Sequence, residues 1–191
     1  MSTQKRLVIF ASGNGSNAET IIRHMSAKGH GSVVRVYCNA SQAGVLARAE
    51  RLQIPTIVFD RKDLGDPECV LAQLQKDAPD LIVLAGFLLK IPEVILAAYP
   101  HHIINIHPAL LPEFGGKGMY GMHVHQAVKD QGATQTGITV HWVNAAYDEG
   151  AIIFQAQTTV GLEDSVADIA RKVQTLEQKH FTQVIDRVLR T

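Results

Sequence analysis

The sequence predicts an α/β protein: a mostly parallel, Rossmann-like sheet with helices on both faces, ending in an antiparallel C-terminal hairpin and a long C-terminal helix. Three observations predict it. Short apolar runs alternate with helical patterns from Leu7 to Ala85, which is the signature of right-handed βαβ units. The run Leu81-Ile82-Val83-Leu84-Ala85 is apolar at every position, as a central strand covered on both faces requires. Two strand patterns, Gly137 to Val143 and Ala151 to Thr159, are joined by a connection short enough for a hairpin.

Taken in order, Leu7 to Ala11 is a strand ended by a Gly/Asn/Ser cluster, and Ala18 to Met25 is a helix. The alternation continues as strand Val33 to Cys38, helix Gly44 to Leu52, strand Thr56 to Phe59, helix Pro67 to Lys76 and strand Leu81 to Ala85. After Pro100, the segment Ile103-Ile104-Asn105-Ile106-His107-Pro108 alternates apolar and polar residues with period two. A glycine-rich stretch, Gly115 to Gly121, leads to a short helix near His123 to Lys129. Last, Val166, Ile169, Val173, Leu176, His180, Val184 and Val188 recur at helical spacing behind a candidate N-cap at Asp164 or Ser165.

The 191 residues are 46% hydrophobic and 19% charged, enough for one substantial core, so a single domain over residues 1–191 is expected. Lys+Arg and Asp+Glu balance at 18 each, which argues against nucleic acid or an anionic membrane as a partner. Cys38 and Cys69 are read as two buried free thiols of a reducing compartment. The first residues carry no signal-peptide pattern, so the protein is expected to be cytoplasmic, as a monomer or homodimer.

The loop Ser12-Gly13-Asn14-Gly15-Ser16-Asn17 stands between the first strand and the first helix. Such a turn aims unpaired N–H groups and the positive end of a helix dipole at an anion, and phosphate is the natural guest. Gly13 to Ala18 also fits the dinucleotide fingerprint, but that fingerprint wants an acidic residue after the second strand, where Cys38-Asn39 stands. The ATP-type loop fails for lack of a Lys-Ser or Lys-Thr pair. A small phosphomonoester fits best, and a bulky residue replacing Gly15 is expected to fill the phosphate nest.

Asn105 and His107 share one face of a strand that Pro108 ends. An amide there can bond a carbonyl oxygen as it becomes an oxyanion, while the imidazole moves protons near neutral pH. Asp148, in the connection Asn144 to Gly150, is one of several acids able to approach the histidine and raise its pKa. His123-Val124-His125 with His107 or His141 raises a metal-hydrolase alternative, although a His-x-His pair on a helix points its rings apart. No metal is expected.

The string Asn105-Ile106-His107-Pro108-Ala109-Leu110-Leu111-Pro112, with Leu84-Ala85-Gly86-Phe87 and the glycine loop, resembles the folate-dependent formyltransferases. The resemblance covers nearly the whole chain, through Asp148-Glu149-Gly150 to Val173-Gln174-Thr175-Leu176-Glu177. It implies formyl transfer from 10-formyltetrahydrofolate, as co-substrate, to the amine of 5-phosphoribosylglycinamide in purine biosynthesis. It also implies roles. Gly15, Ser16 and Asn17 would bind the phosphate, with Gln174 and Glu177 on the same ribonucleotide. Leu88, Leu89, Lys90, Ile91, Asn144, Ala145, Ala146 and Tyr147, with Asn105, would line the folate pocket. Asn105 and His107 would stabilise the oxyanion, His107 would protonate the departing folate nitrogen, and Asp148 would keep that histidine protonated.

The chain departs from the family at several points. The cation of the folate stretch, Lys90, stands one place later than usual, and Arg61 and Lys62 are both open as partners of the folate tail. The run Gly115 to Gly121 is longer than in many members, and His102 stands near the position of a frequent arginine; both changes are expected close to the site. A formyltetrahydrofolate hydrolase and a methionyl-tRNA formyltransferase each carry an added domain, for which the sequence from Leu7 to Thr191 leads us to expect no room. A non-catalytic nucleotide-binding module is the remaining alternative.

Overall fold

The computed structural model describes residues 4–28 and 30–190. Its centre is a seven-stranded sheet of order β3-β2-β1-β4-β5-β6-β7. The strands are β1 (Lys5–Ala11), β2 (Gly31–Cys38), β3 (Thr56–Val58), β4 (Leu81–Leu84), β5 (Ile103–His107), β6 (Gln135–Trp142) and β7 (Ile152–Thr159). The first five run parallel, while β6 is antiparallel to both β5 and β7. The all-apolar β4 lies at the middle of the sheet, where both its faces are buried.

Period-two alternation sends β1 side chains into two layers. Leu7, Ile9 and Ala11 pack on the side of α1 (Ser16–Lys28), α2 (Gly44–Arg51) and the long helix α7 (Val166–Arg190). Val8 and Phe10 pack on the opposite side with Tyr37, Leu64, Leu74 and Ile95, under α3 (Arg61–Gly65), α4 (Ala72–Asp77) and α5 (Glu93–Ala98). There Phe10 stacks on Tyr37 with centroids 4.7 Å apart, and Phe59 and Phe87 meet its edge. The remaining helix, α6 (Met122–Asp130), packs against α7.

Helix α7 opens with a reciprocal cap: Asp168 N–H donates to Ser165 Oγ (3.1 Å) and Ser165 N–H donates to the Asp168 carboxylate (2.9 Å). The helix expected over 67–76 is broken. Asp60 caps α3, Asp66 N-caps a π-helical turn at Pro67–Leu71, and only then does α4 begin, because two Asp caps and Pro67 restart the chain twice. Helix α5 has no counterpart in the sequence reading, since one apolar turn after Pro92 is too short to show a period. Cys38 is buried, whereas Cys69 is exposed on the π turn, contrary to its reading as a core thiol. Among the described residues no helix is long and apolar enough to cross a membrane.

Candidate active site

The sheet order reverses between β1 and β4, and the loops leaving their C-terminal ends open a crevice, as open α/β sheets do. Ser12 ties the crevice together. Its N–H donates to Gly86 O (3.0 Å), its hydroxyl donates to Asn39 Oδ1 (2.6 Å), and the same oxygen accepts from Leu88 N–H (2.9 Å). Asn39, at the place where a dinucleotide site needs an acid, is thus a neutral amide engaged by a serine. The cleft has a volume of about 1380 Å³.

One end of the cleft is the glycine loop. Gly13, Asn14, Gly15, Ser16 and Asn17 line it, and α1 begins at Ser16 with Glu19 N–H donating to Gly15 O (2.9 Å). Gln174 and Glu177, one turn apart on α7, form the facing wall. Asn17 Nδ2 donates to Glu177 Oε2 (2.8 Å) and Gln174 Nε2 to Ser16 Oγ (3.4 Å). Desolvation pushes the Glu177 carboxyl up, against the pull of the Asn17 amide. Gly15 is required for a different reason from the one its sequence context predicts. Its φ is +79°, and a Cβ would fall 2.6 Å from Val45 on α2. A side chain there strikes α2 and does not fill the phosphate nest.

The other end holds the polar constellation. β5 carries Asn105 and His107, and the antiparallel partner β6 puts His141 directly opposite Asn105. Asn105 Nδ2 lies 3.1 Å from His141 Nε2, while His141 Nδ1 donates to Trp142 O (2.9 Å). Asp148 sits between the two histidines, with Oδ2 3.6 Å from His107 Nδ1 and Oδ1 3.6 Å from His141 Nε2. Gly116 N–H holds Oδ2 at 3.0 Å. His107 Nε2 meets the carbonyl of Phe114 at 2.8 Å. Phe114 and Asp148, the two residues that face the imidazole nitrogens, both have φ +56°, a strained value for side-chain-bearing residues.

This geometry corrects the expected protonation. His107 is only 3% exposed, and its burial lowers the pKa below 6.5 despite the Asp148 charge and the Phe114 carbonyl, which both raise it. The carboxylate stands 3.6 Å away, outside hydrogen-bond reach, so its attraction does not offset desolvation. Burial also pushes Asp148 upward, but the His141 and His107 rings and the Gly116 N–H outweigh it, and the group lies below the usual carboxylate range. Burial thus favours the neutral form of His107, while its ring and N–H partners favour the ionised form of Asp148. Both imidazole nitrogens face acceptors, so the cation, when it forms, has two partners ready.

Of the residues expected in the folate pocket, Leu88, Leu89, Lys90, Ile91, Asn105, Asn144, Ala146 and Tyr147 line the cleft. Ala145 does not: Ala146 N–H donates to Asn144 Oδ1 (3.0 Å), and this Asx turn leaves Ala145 exposed off the wall. Lys90 lies 5.5 Å from the centre of the Tyr147 ring. Between the two basic residues left open, Arg61 lines the cleft and Lys62, the next residue of α3, does not. Lys117 and Tyr120 of the glycine-rich run line it as well. His102 does not line the cleft: it immediately precedes β5, with its ring bonded to Pro100 O (2.7 Å). Spacing points to neither the Phe114 carbonyl nor the pairing of His141 with Asn105 nor the bonds of Ser12 to Asn39 and Leu88; the antiparallel pairing of β6 with β5 is the signal for the second.

The histidines of α6 do not converge on a metal. His123 is exposed and meets the Tyr120 ring edge-on, while His125 is 6% exposed, with Nδ1 buried and unpartnered. Among the described residues no three His, Cys, Asp or Glu side chains are grouped to hold a metal ion.

Comparison with known proteins agrees with the geometry. Residues 5–185 match the formyl transferase family model. The chloroplastic phosphoribosylglycinamide formyltransferase of Arabidopsis thaliana is 38% identical over 97% of this chain, which spans 65% of that protein, just under two thirds of its length. The enzyme of that name from Bacillus subtilis is 35% identical over 97% of this chain and 95% of its own length. The crystal structure of phosphoribosylglycinamide formyltransferase from Anaplasma phagocytophilum superposes with a TM-score of 0.90 at 31% identity, covering 98% of this chain and 88% of that one. The chain belongs to the formyl transferase family, and within it to the phosphoribosylglycinamide formyltransferases.

Proposed function

We propose that the protein transfers the formyl group of 10-formyltetrahydrofolate to the amine of 5-phosphoribosylglycinamide, a step of purine biosynthesis, with residues 1–191 acting as one catalytic domain in the cytoplasm. One observation carries the proposal. A single cleft joins a glycine loop at a helix N-terminus to a buried Asn105–His107–Asp148 constellation, so a phosphate held at one end places its amine toward the other.

In this reading Gly15, Ser16 and Asn17 bind the phosphate, Gln174 and Glu177 hold the ribonucleotide, and the 88–91 and 144–147 segments hold the folate, with Arg61 facing its tail. The substrate amine attacks the formyl carbon and its carbonyl oxygen becomes an oxyanion. Asn105 Nδ2 and the His107 ring stabilise that charge. As negative charge grows beside it, the neutral His107, whose Nε2 already carries a proton, gains proton affinity and takes one up from solvent at Nδ1, beside Asp148, while the attacking nitrogen releases its own proton to solvent. His107 then gives a proton to the departing folate nitrogen, and Asp148 stabilises the transient imidazolium. For Nε2–H to reach the oxyanion it must leave the Phe114 carbonyl, and the strained Phe114 and the following glycines are where the backbone gives.

A comparison of acceptors tests the proposal. The value of kcat/KM is expected to fall by about a hundredfold or more when the 5-phosphate of the acceptor is removed, as loss of charge-assisted contacts requires. Equal kcat/KM for the phosphorylated and dephosphorylated acceptors rejects the phosphate loop.

A further inference from the structure

We infer that Arg48, on α2 outside the cleft, is a positioning residue that orients the phosphate loop for the ribonucleotide. The inference rests on the phosphate-loop reading above and extends it to a residue that touches no substrate.

Three successive carbonyls of the loop are tied away from the cleft. Gly13 O accepts from Val45 N–H (3.1 Å), Asn14 O accepts from Arg48 Nε (2.8 Å), and Gly15 O accepts from Glu19 N–H (2.9 Å). In a trans peptide the carbonyl and the following N–H point in opposite directions, so anchoring each oxygen aims the next N–H the other way. Those N–H groups are Asn14, Gly15 and Ser16, all on the cleft wall. The first and third anchors are backbone groups of α2 and α1. The middle one is a side chain, and it precedes Gly15, whose glycine φ of +79° gives this peptide its greatest freedom to flip.

Arg48 is itself held in place. Its Nη2 also bonds Asn14 Oδ1 (3.2 Å), and its Nη1 pairs with Glu19. Arg23 (2.8 Å) and Arg51 (2.9 Å) bond the same carboxylate, and hydrogen bonds from Arg23 and Arg48 help push its pKa down to about 2. Three guanidinium groups around one carboxylate leave a surplus of positive charge behind the loop, the sign a phosphate dianion needs. Gly44 completes the clamp, because a Cβ there would lie 2.9 Å from Asn14 Oδ1.

The test is the ratio of kcat/KM for 5-phosphoribosylglycinamide to that for its dephosphorylated counterpart, in the parent, Arg48→Met and Arg48→Lys. For Arg48→Met the ratio is expected to fall about tenfold, equivalent to about 1.4 kcal/mol, with KM for 10-formyltetrahydrofolate within about twofold of the parent. Lysine keeps the charge but lacks the fork that reaches both Asn14 oxygens, so Arg48→Lys is expected to lose at least about threefold of the ratio. A merely structural loss would depress both acceptors alike and leave the ratio unchanged. If the parent shows no preference for the phosphorylated acceptor, the phosphate-loop reading fails. If it does and both variants keep the parental ratio, the role of Arg48 alone is refuted. If Arg48→Met does not fold, Arg48→Lys decides.

Discussion

Asp148→Asn isolates the charge that we assign to stabilising the His107 cation. The change is conservative in shape: the asparagine oxygen still accepts the Gly116 N–H, and asparagine tolerates the φ of +56° at this position better than most residues. What disappears is a negative charge 3.6 Å from His107 Nδ1. At that separation two unit charges attract by about 1.2 kcal/mol with water-like screening and by about 4.6 kcal/mol at an effective dielectric constant of 20. This corresponds to about one to three pKa units. In the proposed mechanism His107 becomes cationic only as the oxyanion develops, so the attraction is expressed in the transition state, and kcat is expected to fall about ten- to a thousandfold. The assay is formyl transfer with both substrates saturating, from about pH 5.5 to about pH 9, paired with an NMR titration of the His107 ring. The ring is expected to titrate lower in the variant than in the parent. A kcat within about twofold of the parent, or a His107 pKa that rises, refutes the assignment.

Three further outcomes are expected. Asn105→Ala removes the amide beside the developing oxyanion, and the single-turnover rate is expected to drop about a hundredfold or more; a near-parental rate removes Asn105 from the mechanism. Gly13→Val and Gly15→Val are expected to separate binding from folding. A Cβ at Gly13 meets nothing within 4 Å, so that variant should keep its melting temperature while binding the ribonucleotide more weakly, whereas Gly15→Val collides with Val45 and lowers the melting temperature itself. Stability is expected to decline on acidification. The folded-state pKa values of His107 and His125 lie below 6.5, so the unfolded chain binds more protons from pH 6.5 down to the folded values. The stability given by burying neutral rings is present above pH 6.5 and lost across that window, with a later loss below about 3.8 as Asp148 protonates. Urea midpoints that rise between pH 7.5 and pH 5.5 contradict this sign.

Features written in local periodicity are legible in the sequence. The strand, glycine loop and helix at Leu7 to Met25 appear in the structure, as does the shared face of Asn105 and His107 on β5. What stayed hidden depends on long-range packing. His141 reaches Asn105 only because β6 pairs antiparallel with β5, and no local pattern gives that register. The Phe114 carbonyl and the Gly116 N–H enter the site through a loop whose path is set by positive-φ residues. The resemblance implies a protonated His107 beside Asp148; burial, which sequence does not quantify, shifts its pKa the other way. The collision of a Gly15 side chain with Val45 likewise becomes visible only once α2 is docked beneath the loop.

The most direct test of the proposed function follows the fate of the formyl carbon. Incubating the protein with 10-formyltetrahydrofolate carrying an isotopically labelled formyl group, 5-phosphoribosylglycinamide and water as the competing acceptor is expected to give labelled formylglycinamide ribonucleotide in a one-to-one ratio with released tetrahydrofolate. Replacing His107 with alanine should abolish both products together. Release of tetrahydrofolate with the label recovered as free formate would show that water is the acceptor, and would contradict the assignment of the cleft as an amine formyltransferase site.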